Sequence, residues 1–145
     1  MIEVDEVRKR YAAGAPEAPF VHAEPNRLRY PTIDPNDTYY APTGADPRQW
    51  GLERIHASAA WDVAKGAGVV IAVLDSGVDL DHPDLAPHLL QGYDLVSRDN
   101  QPQDSGLSRG HGTHVAGIAN AVTDNGTGIA GVAWDARTLP LRIVD

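Results

Sequence analysis

The sequence predicts an α/β fold built on a parallel β-sheet, and two observations carry that prediction. The first is the apolar run Val69–Leu74, which is six residues long and is followed at once by Asp75-Ser76-Gly77. A run this short and this uniformly apolar is typical of a parallel strand that is buried on both faces. The second observation is the alternation of helical and extended segments along the chain, which is typical of α/β domains.

The segments before this strand have recognisable patterns. Residues 4–11 have the apolar spacing of a short helix, and residues 20–23 fit a short strand. Residues 31–50 are rich in Pro, Asp and Thr, which predicts a loop. Between Arg54 and Lys65 the apolar residues again have helical spacing, and Gly66 is a typical helix stop.

Three further elements follow the first strand. A second strand is expected around Leu89–Val96, a helix is expected to begin after Gly110, and Leu139–Val144 is a candidate third strand. Together these segments predict parallel strands connected through helices, with the loops at the carboxyl ends of the strands free to carry function.

Composition and charge exclude several classes of function. The 145 residues include 12 Lys and Arg against 20 Asp and Glu, which gives a net charge of −8. Nucleic acids and anionic membranes require a basic face, so neither is expected as a partner. The absence of cysteine excludes a disulfide framework, a Cys-ligated zinc site and a thiol nucleophile. No apolar stretch approaches the roughly 18 residues of a membrane span.

The acidic residues also divide the chain near Tyr30–Pro35. Residues 1–30 carry five acidic and five basic side chains, so they are neutral, and four of their acids are Glu. Residues 31–145 carry the whole net charge, and 14 of their 15 acids are Asp. Glu favours helices, whereas Asp favours turns, caps and cation sites. We therefore expect two separately folded units, residues 1–30 and residues 31–145.

Asp75 is the first candidate for chemistry, because it directly follows the buried strand. The carboxyl ends of parallel strands are where catalytic and ligand-binding groups gather. The same Asp-Ser-Gly sequence also fits a plain tight turn. It is, in addition, the signature of an aspartic protease, but that mechanism needs two carboxylates that share a proton, and the chain has one such motif.

His111 is the second candidate, within the segment Gly110–Gly117. It stands at the expected start of a helix between two glycines, which leaves its ring accessible to a substrate. A solvated histidine in a loop is one alternative, and zinc binding is another, since His111 and His114 are three residues apart. A zinc site needs further ligands, and no Glu follows as in the metalloprotease pattern.

Taken together, the two motifs resemble the subtilisin-like serine proteases (subtilases), in particular their thermitase-like branch. The stretch VVIAVLDSGVDLDHPDL contains the Asp motif, and GHGTHVAGIANAV places the His 36 residues after that Asp. The stretches NDTYY, QWGLERI and NGTGIAGVAWDA are similar to that branch as well. The resemblance covers essentially all of residues 31–145. It implies the N-terminal part of a three-layer parallel-sheet domain with serine endopeptidase activity on peptide or protein substrates.

The resemblance further implies that Asp75 and His111 are two members of an Asp-His-Ser triad. Asp75 would accept a hydrogen bond from Nδ1–H of His111, and Nε2 of His111 would take the proton of the serine. We expect the hydroxyl of Ser76 to help hold the Asp75 carboxylate.

The nucleophile itself is not recognisable in this sequence. No serine lies in the family's Gly-Thr-Ser-Met-Ala context, and all of them precede His111: Ser58, Ser76, Ser97, Ser105 and Ser108. The serine and the oxyanion Asn are therefore expected in a missing C-terminal half, and the chain alone is expected not to hydrolyse peptides. The alternative is a non-catalytic calcium-binding pseudoprotease or a truncated fragment.

The resemblance also implies Ca2+ as a cofactor, in an all-oxygen shell. The tight site would take side-chain or carbonyl oxygens from Asp37, Asp84, Val122, Asn125, Thr127 and Ile129. A weaker site would use Asp94, Asp99, Gln101 and Gln103. Its assignment is open, because Ser97 stands where the closest branch has an Asp.

Residues 1–30 contain PFVHAEPN, which resembles the last strand of the family's inhibitory propeptide. The alternative is an unrelated N-terminal extension. The resemblance implies a zymogen whose own propeptide is a partner. It also implies a secreted protein, although this chain shows no signal peptide.

Overall fold

The computed structural model describes residues 34–40 and 49–145. The chain divides into two units, residues 1–31 and 32–145, and every described residue belongs to the second. The helix expected at residues 4–11, the strand expected at 20–23 and the propeptide assignment all lie outside the described residues. Residues 34–40 contain no helix or strand, as expected for the loop.

Three parallel strands form the sheet: β1 is Val70–Asp75, β2 is Tyr93–Asp94 and β3 is Arg137–Arg142. β3 lies in the middle, where it pairs with β1 along six residues and with β2 along two. The prediction of an α/β fold with a parallel sheet is confirmed. The second strand is shorter than expected, because only its residues 93–94 pair regularly with β3.

The longest helix of the described chain, α3 (His111–Asn120), packs against β1 and β3. It follows Gly110, as the sequence predicts, and its small residues bring it close to the sheet. The core beneath it consists of Val73, Val78, Leu85, Ala116 and Ala121. Among the described residues, no helix has the length and apolar character needed to cross a bilayer.

Burial of β1 on both faces, which its composition suggested, is not found. Val73 is 5% exposed, whereas Val70 and Leu74 on the opposite face are 53% and 55% exposed. Alternate residues of a strand point to opposite faces, so α3 covers one face of β1. Within residues 34–40 and 49–145, no element covers the other face.

The helix expected between Arg54 and Lys65 is replaced by two short ones, α1 (Trp50–Arg54) and α2 (Ala57–Trp61). They are separated because His56 adopts a left-handed backbone conformation, with φ of 56°. The break also changes which residues are buried, and Ile55 is 58% exposed. A second core cluster forms here from Leu52, Ala57, Trp61, Ala130 and Trp134.

Candidate functional site

Asp75 and His111 meet at the carboxyl end of the sheet. Asp75 is the last residue of β1, and His111 is the first residue of α3. Nδ1 of His111 lies 2.7 Å from Oδ1 and 2.9 Å from Oδ2 of Asp75. An ionised carboxylate can only accept hydrogen bonds, so Nδ1 carries the proton and Nε2 is left as a base. The structure thus brings together the two residues that the motifs singled out.

The two side chains differ in their access to solvent. The side chain of His111 is 67% exposed, whereas that of Asp75 is 18% exposed. An imidazole placed in this way can reach a second reactant, while the carboxylate behind it cannot. The arrangement is suited to moving a proton at Nε2 and to stabilising the imidazolium that results.

The pKa of Asp75 is lowered from its ordinary value. Burial raises the pKa of this carboxyl, but hydrogen bonds from the backbone N–H of Ser76 and from His111 outweigh that effect. The Ser76 amide donates to Oδ1 of Asp75 at 2.7 Å. The Ser76 side chain also contributes to lowering the pKa of Asp75, to a smaller extent than its backbone amide, while its hydroxyl donates to Asp104 at 2.9 Å. The backbone amide of Ser76 and the imidazole of His111 contribute most to holding the carboxylate.

Gly112 allows the helix to come this close to the strand. A Cβ at this position would lie 2.1 Å from the carbonyl oxygen of Gly77 and 3.1 Å from Cβ of Asp75. The sequence suggested that glycines around His111 serve its exposure. The structure shows that Gly112 also serves the close approach of α3 to the end of β1.

Asp104 is a buried carboxylate beside this pair, and the sequence reasoning did not find it. Its side chain contacts Ser76 on one side and Thr113 on the other. Its residue is 6% exposed. The only sequence signal was an Asp seven residues before His111 in a loop, which does not distinguish it from other Asp residues.

A second carboxylate cluster, which we call the loop cradle, forms where residues 34–40 cross the loop 122–129. The amide of Gly126 donates to the Asn36 side chain at 2.6 Å, and Thr38 Oγ1 donates to the Gly126 carbonyl at 3.0 Å. These contacts place Asp37 beside Asp84, so that the electrostatic influence of Asp84 contributes to the pKa of Asp37. The structure therefore brings together the residues of the expected tight calcium site.

The buried carboxylate of Asp37 is the observation that favours a cation in the loop cradle. Oδ2 of Asp37 accepts a hydrogen bond from the Asp124 amide at 2.8 Å, but Oδ1 is buried without a hydrogen-bond partner among the described residues. Burial raises the pKa of Asp37, and three backbone hydrogen bonds do not offset this effect. A buried oxygen without a donor is costly, and a hard cation would satisfy it.

The surrounding oxygens fit the same interpretation. Among the described residues, the loop's predicted carbonyl ligands, those of Val122, Thr127 and Ile129, accept no hydrogen bond. A Cβ at Gly128 would lie 2.1 Å from Oδ2 of Asp84, so the glycine leaves room for that carboxylate. The Asn125 amide nitrogen donates to Asp84 at 2.8 Å, and its oxygen accepts from the Thr127 amide at 2.7 Å.

The expected weaker site is arranged differently. Both oxygens of Asp94 are engaged: Oδ2 with Arg142 at 2.8 Å, and Oδ1 with the amides of Val96 and Ser97. Burial raises the pKa of Asp94, but these hydrogen bonds outweigh that effect and lower the pKa.

The other expected ligands of the weaker site have partners of their own. The Gln103 side chain accepts a hydrogen bond from the Leu80 amide and donates one to Asp79. Asp99 accepts from the backbone amide of Gln101. Asp94 thus forms a buried ion pair with Arg142, and the weaker calcium site stays a prediction.

Zinc finds no support in the described part of the chain. No group of three or more His, Cys, Asp or Glu residues there is arranged to hold a metal ion. His111 is hydrogen-bonded to Asp75.

His114 instead lines a cavity of about 410 Å³. That cavity lies between the two carboxylate sites and includes Asp84 and Asp104 in its lining. His111 is not among the residues that line it.

Comparison with known proteins identifies related sequences. Residues 66–145 match the subtilase family. Thermitase from Thermoactinomyces vulgaris is 49% identical over 111 residues, which are 77% of this chain and 37% of that protein. The extracellular basic protease of Dichelobacter nodosus is 38% identical over 165 residues, covering 91% of this chain and 26% of that protein. The chain thus spans about a quarter to two fifths of the length of these relatives.

Comparison with solved structures also identifies a protease with a similar fold. A protease from Pseudoalteromonas arctica PAMC 21717 superimposes with a TM-score of 0.66 and 36% sequence identity. The alignment covers 77% of this chain and 39% of that protease. The similarity in fold therefore extends over most of the described residues.

Proposed function

Because its residues 66–145 match the family, the chain belongs to the subtilase family, and we propose that it provides the acid and base of a serine endopeptidase triad. The observation that carries the proposal is the hydrogen bond between Nδ1 of His111 and the carboxylate of Asp75. The thermitase relative is 49% identical, which supports the same reaction class: hydrolysis of peptide bonds in peptides or proteins.

In this proposal, Asp75 orients His111 and remains ionised throughout the reaction. Its lowered pKa supports that role, because a neutral carboxyl would neither fix the tautomer nor stabilise an imidazolium. The exposed Nε2 of His111 takes the proton of a serine hydroxyl as that oxygen attacks the peptide carbonyl. The same nitrogen then returns the proton to the leaving amine.

The nucleophile is proposed to come from a segment outside these 145 residues. All five serines precede His111, and Ser76 has its hydroxyl committed to Asp104. We therefore expect the 145-residue chain by itself to show no peptide hydrolysis. The serine and its oxyanion-stabilising Asn would have to be contributed by a C-terminal half of the domain.

Calcium is proposed for the loop cradle, where the unpaired Oδ1 of Asp37 supports it. The residues that would hold the ion are the six of the predicted tight site: Asp37, Asp84, Val122, Asn125, Thr127 and Ile129. Bound there, the ion would neutralise two neighbouring carboxylates and join residues 34–40 to the loop after α3. Its contribution would be stability, with no part in proton transfer.

Residues 1–30 are proposed to be the end of an inhibitory propeptide, which would make the protein a zymogen. The division of the chain between residues 31 and 32 is consistent with a boundary there. We also propose secretion, because the Dichelobacter relative is named an extracellular protease. N-terminal sequencing of the protein recovered from the medium of its natural producer would test both proposals. Recovery only from cells, or with residues 1–30 still attached, would contradict them.

A chimera tests the catalytic proposal directly. Residues 49–145 would replace the matching segment of the Thermoactinomyces vulgaris thermitase, which supplies the remaining part of the domain. We expect this chimera to cleave a chromogenic peptide and to be blocked by a serine-directed inhibitor. The unfused 145-residue chain, assayed in parallel, should be inactive.

Two outcomes would contradict the proposal. A folded chimera without turnover would show that Asp75 and His111 do not serve as the acid and base, and would favour a non-catalytic calcium-binding role. Inhibitor-sensitive turnover by the unfused chain would show that the nucleophile lies within these residues.

A further inference from the structure

We propose that Asp104 is a positioning residue for the Asp75–His111 pair, a role that rests on the proposed catalytic function. Asp104 lies in the loop before α3, and its backbone amide donates to the Val78 carbonyl at 3.1 Å. The Val78 amide in turn donates to the Pro102 carbonyl at 2.9 Å. The loop is thereby fixed to the segment that leaves β1, with the Asp104 side chain buried between that segment and α3.

Each oxygen of Asp104 accepts hydrogen bonds from a residue close to one member of the Asp75–His111 pair. Oδ1 accepts the hydrogen bond of the Ser76 hydroxyl at 2.9 Å, on the β1 side. Oδ2 accepts from the backbone amide of Thr113 at 3.0 Å and from the Thr113 hydroxyl, on the α3 side. Ser76 is the residue after Asp75, and Thr113 is two residues after His111. One carboxylate therefore links the residues that follow each partner.

The start of helix α3 depends on this link, because Gly110 at its N-cap has no side chain to cap it. The first backbone N–H groups of a helix need acceptors from elsewhere. The Ser76 hydroxyl oxygen accepts from the Gly112 amide at 3.0 Å, and Asp104 accepts from the Thr113 amide. A carboxylate at a helix N-terminus is also favoured by the helix dipole. Asp104 thus provides, from a neighbouring loop, the cap that α3 lacks.

Thr113 connects the network to the turn after β1 as well. Its hydroxyl oxygen accepts a hydrogen bond from the Asp79 amide at 2.9 Å while the hydroxyl donates to Asp104. Because Ser76 and Thr113 are both hydrogen-bonded to Asp104, and the Gly112 amide to Ser76, the first turn of α3 has a fixed distance from the end of β1. That distance decides whether Nδ1 of His111 reaches Asp75.

The test uses the tautomer of His111 in the complete 145-residue chain. The 15N shifts of the imidazole distinguish the Nδ1–H form, which the hydrogen bond to Asp75 selects, from the Nε2–H form. In Asp104→Asn, the amide group offers a donor to Ser76 or Thr113, which are themselves donors. We expect the ratio of Nδ1–H to Nε2–H to fall about tenfold, which corresponds to about 1.4 kcal/mol. Asp135→Asn, an exposed residue with the same change of charge, should leave the ratio unchanged.

A purely structural role would give a different result. In that case Asp104→Asn would lower the unfolding midpoint while the folded protein kept the tautomer ratio of the parent, and this outcome would overturn the proposal. If Asp104→Asn does not fold, Thr113→Val decides, because it removes the hydroxyl donor and keeps the shape. An unchanged ratio in folded Thr113→Val would likewise overturn the proposal, and Thr113→Ser should restore the parent ratio.

The tautomer is measured without substrate, so it is independent of peptide hydrolysis. An inactive chimera would contradict the proposed function and leave the tautomer result standing. In an active chimera, Asp104→Asn should lower kcat about tenfold with KM unchanged, because it misplaces the base rather than the substrate. A change in KM alone would count against a positioning role.

Discussion

The carboxylates of Asp75 and Asp37, which lie on either side of helix α3, differ in their hydrogen bonds and in the direction of their pKa shifts. Before the helix, Asp75 receives hydrogen bonds from the Ser76 amide and from His111, and its pKa is lowered. Beyond the helix, one oxygen of Asp37 is buried with no donor in the part of the chain that the structure describes, and the pKa of Asp37 is raised. Burial raises the pKa in both places, so the hydrogen bonds and the neighbouring charge make the difference: His111 lowers the pKa of Asp75, whereas Asp84 raises that of Asp37.

The difference supports the proposal that a cation binds in the loop cradle and not at the Asp75–His111 pair. The donors around Asp75 and Asp104 are supplied by backbone amides, hydroxyls and an imidazole, so these carboxylates are stable as anions without a cation. In the loop cradle, both oxygens of Asp84 accept hydrogen bonds, but Oδ1 of Asp37 is buried without a donor among the described residues. An unsatisfied buried polar atom costs about 1–3 kcal/mol, which a bound cation would recover.

The largest expected effect tests the site that has its own donors. In the active chimera, Asp75→Asn should lower kcat about 10⁴-fold, because an Asn at this position no longer holds His111 in the productive tautomer. His111→Ala should cost at least as much, since it removes the base. Initial rates of peptide cleavage provide the measurement. His114→Ala, which changes an exposed histidine on the same helix, is the matched control. An equal loss of kcat in this variant would show that His111 is not specifically required.

The second effect tests the site that lacks donors. Calcium at 100 times its dissociation constant should raise the free energy of unfolding by about 2.7 kcal/mol relative to the same protein in chelator. Denaturant unfolding followed by tryptophan fluorescence measures this difference. Asp37→Asn should abolish the calcium response, whereas Asp135→Asn should keep it. Equal stability of the parent chain with calcium and with chelator would show that the cradle is a plain turn.

The fold was predictable wherever local sequence determines it. The uniform apolar run before Asp75 and the small residues after His111 identified β1 and α3, because these patterns depend on nearby residues. The break at His56 was not predictable, because a left-handed conformation of a non-glycine residue has no recognisable signal in the local sequence. The exposed face of β1 was missed as well, because composition does not say which faces have neighbours.

The site was predictable to the extent that motifs carry it. Asp75 and His111 came from their motifs and from the family resemblance, whereas the members of the loop cradle came from the resemblance alone; the structure brings each group together. Asp104 was missed because its role depends on where a loop lies relative to α3. The preference of Asp94 for Arg142 was missed for a similar reason, since only the sheet register brings that arginine alongside.

A third effect compares two glycines, one at each site. Gly112→Ala should destabilise the chain by about 1–3 kcal/mol, because the new Cβ meets the rigid Gly77 carbonyl at 2.1 Å. Gly128→Ala should cost about 1–2 kcal/mol, because its φ of +60° is unfavourable for alanine. Only Gly128→Ala should also remove the calcium response, because its Cβ would displace Asp84. Gly51→Ala, which meets nothing within 4 Å, is the control and should be slightly stabilising.

The smallest effect concerns the pH dependence of stability at Asp75. Because the folded-state pKa of Asp75 is lowered, its ionised form contributes stability that is fully present above the unfolded pKa of about 3.9. That contribution is lost as the pH falls through the lowered folded-state pKa. The parent chain should therefore lose its stability advantage over Asp75→Asn as the pH falls below about 4, and denaturant unfolding at a series of pH values measures this. An advantage that grew on acidification would mean that Asp75 is held as the neutral acid, and the contrast with Asp37 would then fail, since both carboxyls would have raised pKa values.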